Sequence, residues 1–124
     1  MADAPWPVEI RLKQADKALE IEFEGGESFR LPAEYLRVES PSAEVQGHGP
    51  GQKQVVSGRR HVGILGIDPV GNYAIRIRFD DLHESGIYSW SYLHELGREQ
   101  ARRWRDYLAA LEQHGLTREP GRSS

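Results

Sequence analysis

No stretch constrains the fold more than Val62–Leu96, VGILGIDPVGNYAIRIRFDDLHESGIYSWSYLHEL. Tyr73, Ile75, Ile77 and Phe79 point one way, with Arg76 and Arg78 pointing the other, which is the period of a half-buried strand. Just before it, Asp68-Pro69-Val70-Gly71-Asn72 joins a fixed φ at Pro69 to a free one at Gly71, so the chain is predicted to reverse there. The first half therefore reads as a hairpin. Next comes Asp80-Asp81-Leu82-His83-Glu84-Ser85-Gly86, the densest cluster of chemically capable side chains in the sequence. Ile87 and Tyr88 resume apolar character, and Ser89 stands as N-cap of a short helix, Trp90 to Leu96, closed by Gly97.

The other runs are shorter. After a lead of residues 1–7, Val8, Ile10 and Leu12 alternate with charged neighbours, as do Leu19, Ile21 and Phe23. Ala15-Asp16-Lys17 joins the two runs into an antiparallel hairpin. Gly25-Gly26 turns the chain into a third short strand around Ser28 to Leu31, and Pro32 opens a turn or two of helix over Ala33 to Arg37. From Glu39 to Gln54, serine, proline and glycine dissolve the pattern into a long loop. Lys53 to Val56 and His61 to Ile67 read as a further hairpin around Ser57-Gly58-Arg59-Arg60. Ala101, Trp104, Leu108 and Leu111 recur at helical spacing, giving an apolar stripe that should dock Trp104 over the Tyr73–Phe79 row. Gly115 ends that helix, and residues 117–124 read as a disordered tail. The expected fold is α+β: a β-rich antiparallel sheet assembly with two or three helices, the C-terminal one packed on the sheet. One domain should span residues 8–116.

Composition removes whole classes of function. The chain has 124 residues, enough for one modest core. It has no cysteine, which excludes disulfides, thiolate nucleophiles and thiolate zinc sites. A formal charge of −3 argues against nucleic-acid binding through net charge. No apolar run reaches membrane-span length and Met1 to Pro5 lacks signal-peptide character, so a cytoplasmic protein without membrane contact is expected.

Two carboxylates and an imidazole at Asp80, Asp81 and His83 have the chemistry for acid–base work or for a metal. Aspartate and histidine after a strand also cap turns and bond backbone amides, and that structural role is the default. Arg98, Arg102, Arg103 and Arg105 make the later part slightly basic, but Glu99–Arg103 and Arg102–Asp106 have the spacing of self-neutralising helix pairs. Trp90 and Tyr92 lie two apart and cannot share one helix face, so one of them should stay accessible. Tyr88, Trp90 and Tyr92 are therefore the candidate interaction surface.

The segment PVGNYAIRIRFDDLHESGIYSWSYL, with Leu36-Arg37 before the long loop, resembles the family of the N-terminal domain of gamma-butyrobetaine hydroxylase over about Val8 to Leu96. In the oxygenases, that resemblance implies a structural zinc on a Cys-Pro-Cys-x-x-Cys run and one later histidine. Ser40, Ser42 and Val45 stand at the cysteine positions here, and His83 at the histidine, so the zinc site is degenerate and no cofactor is expected. His83 should then lie near Leu36–Ser42 as a structural tether. The oxygenase catalytic domain has no counterpart in this sequence. By the resemblance, the chain is a stand-alone, non-catalytic accessory or protein-binding module linked to an oxygenase or to iron–sulfur cluster assembly. The alternative is a metal-binding protein or metal-dependent enzyme centred on Asp80, Asp81 and His83.

Overall fold

The computed structural model describes residues 5–41, 55–81 and 84–120, at Glu84 and Ser85 through the backbone alone. Strands β1 (Pro7–Lys13), β2 (Ala18–Phe23) and β3 (Ser28–Pro32) form one antiparallel sheet in sequence order. Helix α1 (Ala33–Val38) follows directly. Strands β4 (Ile64–Val70), β5 (Ala74–Phe79) and β6 (Glu84–Ser89) form the second antiparallel sheet. Helices α2 (Trp90–Arg98) and α3 (Gln100–Gln113) complete the α+β fold.

Strand alternation places the core. Leu19, Ile21 and Phe23 of β2 meet Ile75, Ile77 and Phe79 of β5 in one cluster, to which α2 adds Leu93 and Leu96. In β1 a bulge between Pro7 and Glu9 turns Val8 out to solvent, so only Ile10 and Leu12 keep the expected inward direction. Ser89 caps α2 as expected, its Oγ accepting from the Tyr92 amide at 3.1 Å.

Four sequence expectations need correction. Tyr73 precedes β5 in the turn and is exposed, so the buried row is Ile75, Ile77 and Phe79. Gly97 lies inside α2, where a side chain would overlap the Phe29 ring; close approach, not helix termination, requires a glycine. Val55 and Val56 form no strand. They pack with Val38, Tyr107 and Leu111 in a second, smaller cluster, and Lys53 and Gln54 lie outside the described residues. The buried stripe of α3 is Trp104, Tyr107 and Leu111, with Ala101 and Leu108 exposed. It runs i, i+3, i+7, and the Tyr107 hydroxyl is satisfied inside by the Val56 carbonyl at 2.6 Å. Trp104 touches both clusters.

The tail also differs. Gly115 (φ 67°) ends the last helix as expected, but residues 117–120 fold back on the body. Gly58 donates to the Thr117 carbonyl at 2.9 Å and Arg60 to that of Arg118 at 3.0 Å. The ordered unit therefore extends past 116, while residues 121–124 lie outside the described ones.

Candidate functional site

A helix of six residues cannot satisfy its own carbonyls, and all six residues of α1 are buried. Tyrosines solve this from across the core. Tyr88 OH donates to the Leu36 carbonyl at 2.5 Å, and Tyr92 OH to that of Glu39 at 2.6 Å. In return, Tyr35 OH of α1 donates to the Leu96 carbonyl at 2.7 Å. Burial raises the pKa of Tyr35 and of Tyr92 well above the usual phenol value, with the Glu39 carboxylate adding to it, so both remain donors at neutral pH.

Tyr88 is thus a fully buried tether, and its assignment to an interaction surface is corrected. Its position on β6, paired with Ile75 across the sheet, turns the ring inward. Trp90 and Tyr92 are only half-buried. The Trp90 indole donates to the Asn72 carbonyl at 2.9 Å, and its amide to that of Tyr73 at 3.0 Å. This brings Tyr73, 54% exposed, beside Trp90. Strand alternation places Tyr73 in the core and the aromatic cluster with Trp90 and Tyr92 places Tyr88 at the surface; the fold exchanges them.

The acidic loop is engaged in structural bonds. Asp80 Oδ1 accepts from the Gly63 amide at 2.9 Å, and its own amide donates to the Gly63 carbonyl at 3.0 Å, locking the end of β5 to the approach to β4. Asp81 Oδ2 accepts from buried Arg37 Nε at 2.9 Å. Arg59 Nε lies 2.8 Å from the same oxygen without hydrogen-bond alignment, which leaves a Coulombic contact. Two guanidinium groups therefore converge on one carboxylate, between α1 and the second sheet. Among the degenerate zinc positions Ser40 is fully buried, its amide 3.3 Å from the Arg37 carbonyl. Ser42, Val45 and His83 lie outside the described residues, as does His48. Among the described residues, no three histidine, aspartate or glutamate side chains gather as a metal site.

Sequence reasoning missed two ionic sites. Arg103 of α3 donates to buried Glu39 at 2.9 Å and also pairs with Glu95 and Glu99. Arg118, from the segment after α3, grips Glu34 of α1 through two nitrogens at 2.7 and 2.8 Å. The Glu99–Arg103 spacing gave a signal for the first; a contact spanning 84 residues gave none for the second.

The family match falls on the two sheets and α1, whereas two similar solved structures extend over almost the whole chain. The family described as gamma-butyrobetaine hydroxylase-like, N-terminal, matches residues 10–94. The chain belongs to this family. Within the match fall the first sheet from Ile10 onward, α1, the second sheet and half of α2, while α3 and the Arg118 segment lie beyond it. A protein solved by NMR in solution is 45% identical, with 98% of this chain and 95% of that one covered and a TM-score of 0.85. A second NMR solution structure is 43% identical, covers 100% and 92%, and has a TM-score of 0.82. A protein of unknown function from the DUF971 family of Acidithiobacillus ferrooxidans, solved by crystallography, is 36% identical. It covers 77% of this chain and 98% of its own, with a TM-score of 0.64. No curated protein matches the sequence. No helix among the described residues is long and apolar enough to cross a membrane.

Proposed function

We propose that this hydroxylase-like N-terminal domain is a non-catalytic accessory module that binds a protein partner in the cytoplasm. The partner belongs to an oxygenase-type enzyme or to the iron–sulfur assembly machinery, the two settings that the family resemblance implies. The observation that carries the binding role is the aromatic edge of the second sheet, where exposed Tyr73 stands beside half-buried Trp90. Tyrosine and tryptophan offer large, rigid contact area at low entropic cost and dominate binding hot spots. The carboxylates that would serve an acid–base centre instead hold strand ends and arginines together at Asp80 and Asp81.

The test compares variants, not a single capture. Tyr73→Ala removes an exposed ring and should leave the fold intact, while capture of the partner from an extract of the native cell falls at least about tenfold, as expected for a hot spot. Capture by Tyr73→Ala and Trp90→Ala at the wild-type level would overturn the assigned surface. Chelator-washed protein should melt at the same temperature as untreated protein. Stoichiometric metal uptake that depends on Asp81 and His83 would replace the module reading with a metal one.

A further inference from the structure

We infer that the cleft between α1 and α3 is an arginine-recognition site, filled here by the chain's own Arg118, that exchanges it for an arginine-bearing segment of a partner. The inference extends the binding-module reading to a second surface, away from Tyr73 and Trp90.

The cleft is built for a guanidinium. Glu34 is 6% exposed, and its two oxygens face Nε and Nη2 of Arg118 at 2.8 and 2.7 Å, a two-pronged geometry that a lysine cannot reproduce. The Arg118 guanidinium lies 5.2 Å from the Trp104 ring centroid. That ring is fixed by Tyr35 at 6.3 Å and Tyr107 at 5.1 Å. A buried carboxylate beside an aromatic wall selects a planar cation by charge, shape and face.

The segment that brings Arg118 is attached partly through its backbone. Its carbonyls at Thr117 and Arg118 accept from the amides of Gly58 and Arg60, backbone bonds that another chain bent in the same way can supply. Leu116, Thr117, Glu119 and Pro120 are exposed, so Arg118 is the side chain that enters the cleft, while Glu119 pairs with Arg60 at the surface. Beside it, a cavity of about 230 Å³ lined by Pro32, Glu34, Tyr35, Gln100, Trp104 and Arg118 leaves room for a neighbouring ligand side chain. Departure of Arg118 alone would strand the Glu34 carboxylate in the interior, which is strongly disfavoured. Another guanidinium cancels that penalty, and a neutral or acidic segment does not. The occupant is therefore specified as an arginine in a chain that bends as Arg118 and Glu119 do.

The experiment offers a synthetic peptide of residues 114–120, and the same peptide carrying Arg118→Lys, to the full chain. Binding is read by NMR at the Gly58 and Arg60 amides and the Trp104 indole. The R118A chain should bind the arginine peptide and restore the wild-type positions of these signals. The lysine peptide should bind at least about tenfold more weakly. The wild-type chain should also bind the arginine peptide at least about tenfold more weakly, because its own segment competes. E34Q/R118A, which removes both charges together, should bind neither. Equal affinity for the two peptides, undiminished binding to E34Q/R118A, or no binding to R118A would overturn the site. If R118A does not fold, the wild-type chain in excess arginine peptide decides: unmoved Gly58 and Arg60 amides overturn the exchange. The Tyr73 and Trp90 capture is measured on separate residues, so each result stands when the other fails.

Discussion

Gly97 illustrates how a residue's meaning depends on what faces it. Its backbone is ordinary α-helix, and the space that a side chain would need is taken by the Phe29 ring of β3. Gly97→Ala should therefore destabilise the fold by about 1–3 kcal/mol through overpacking, despite alanine's better helix propensity, as measured by denaturant midpoint. Near this contact His94 stacks edge-on against Phe23 and Phe29, and its Nε2 lies 2.7 Å from Glu27 Oε1. The bond to His94 holds the Glu27 carboxylate below the usual carboxylate range. On acidification the unfolded chain takes up this proton before the native one does, so the contribution is complete above the unfolded pKa and fades as pH falls through the native value. Glu27→Gln should be less stable than wild type at neutral pH, and the two stability curves should converge in acid. Residue identity was legible where local geometry decides, as at the Ser89 cap. It was illegible at Gly97, because only the packed sheet reveals Phe29 above it. Tyr73 was misread because alternation gives the period of a strand but not its first residue, and Tyr88 because the start of β6 reads as a polar loop.

At the scale of elements, α1 is too short to stand by itself, and its stability comes from partners. Tyr88→Phe leaves the ring in place but strips a buried carbonyl of its donor, which should cost about 1–3 kcal/mol. The segment after α3 is likewise an element with a partner. Arg118→Ala leaves Glu34 buried without its counter-ion and should cost on the order of 2–4 kcal/mol, toward the low end because about a third of the Arg118 side chain stays in solvent. E34Q/R118A should recover part of that loss in thermal melts, since the uncompensated charge is gone. Removing this segment is therefore not neutral, as its polar composition had suggested. Strands β1 to β5, the turns at Gly25-Gly26 and Gly71, and the last helix were readable from periodicity and turn chemistry, whereas β6 begins at Glu84, inside what reads as a polar loop. The docked segment was not, because it makes no periodic pattern and its side chains anchor it through long-range ion pairs, Arg118 with Glu34 and Glu119 with Arg60.

Across the whole molecule, the two sheets are local meanders in which each strand pairs with its neighbour in sequence. What joins the halves is distant in the chain: Tyr35 to Leu96, Tyr88 to Leu36, Arg37 to Asp81, and Arg118 to Glu34. Local pairings close small loops and form early, and distant ones wait for them. During synthesis Arg118 emerges after every element that it binds, so Glu34 is made with its charge facing water and is sealed only at the end. The last turn of the assembly is thus a latch, not a nucleus. Its loss should leave the refolding rate almost unchanged and accelerate unfolding, giving Arg118→Ala a φ-value near zero in a chevron analysis. A refolding limb slowed in proportion to the lost stability would place the latch in the folding nucleus instead. A chain closed in this order spends its newborn life with the acidic cleft open, and that is when a foreign arginine has its least contested access.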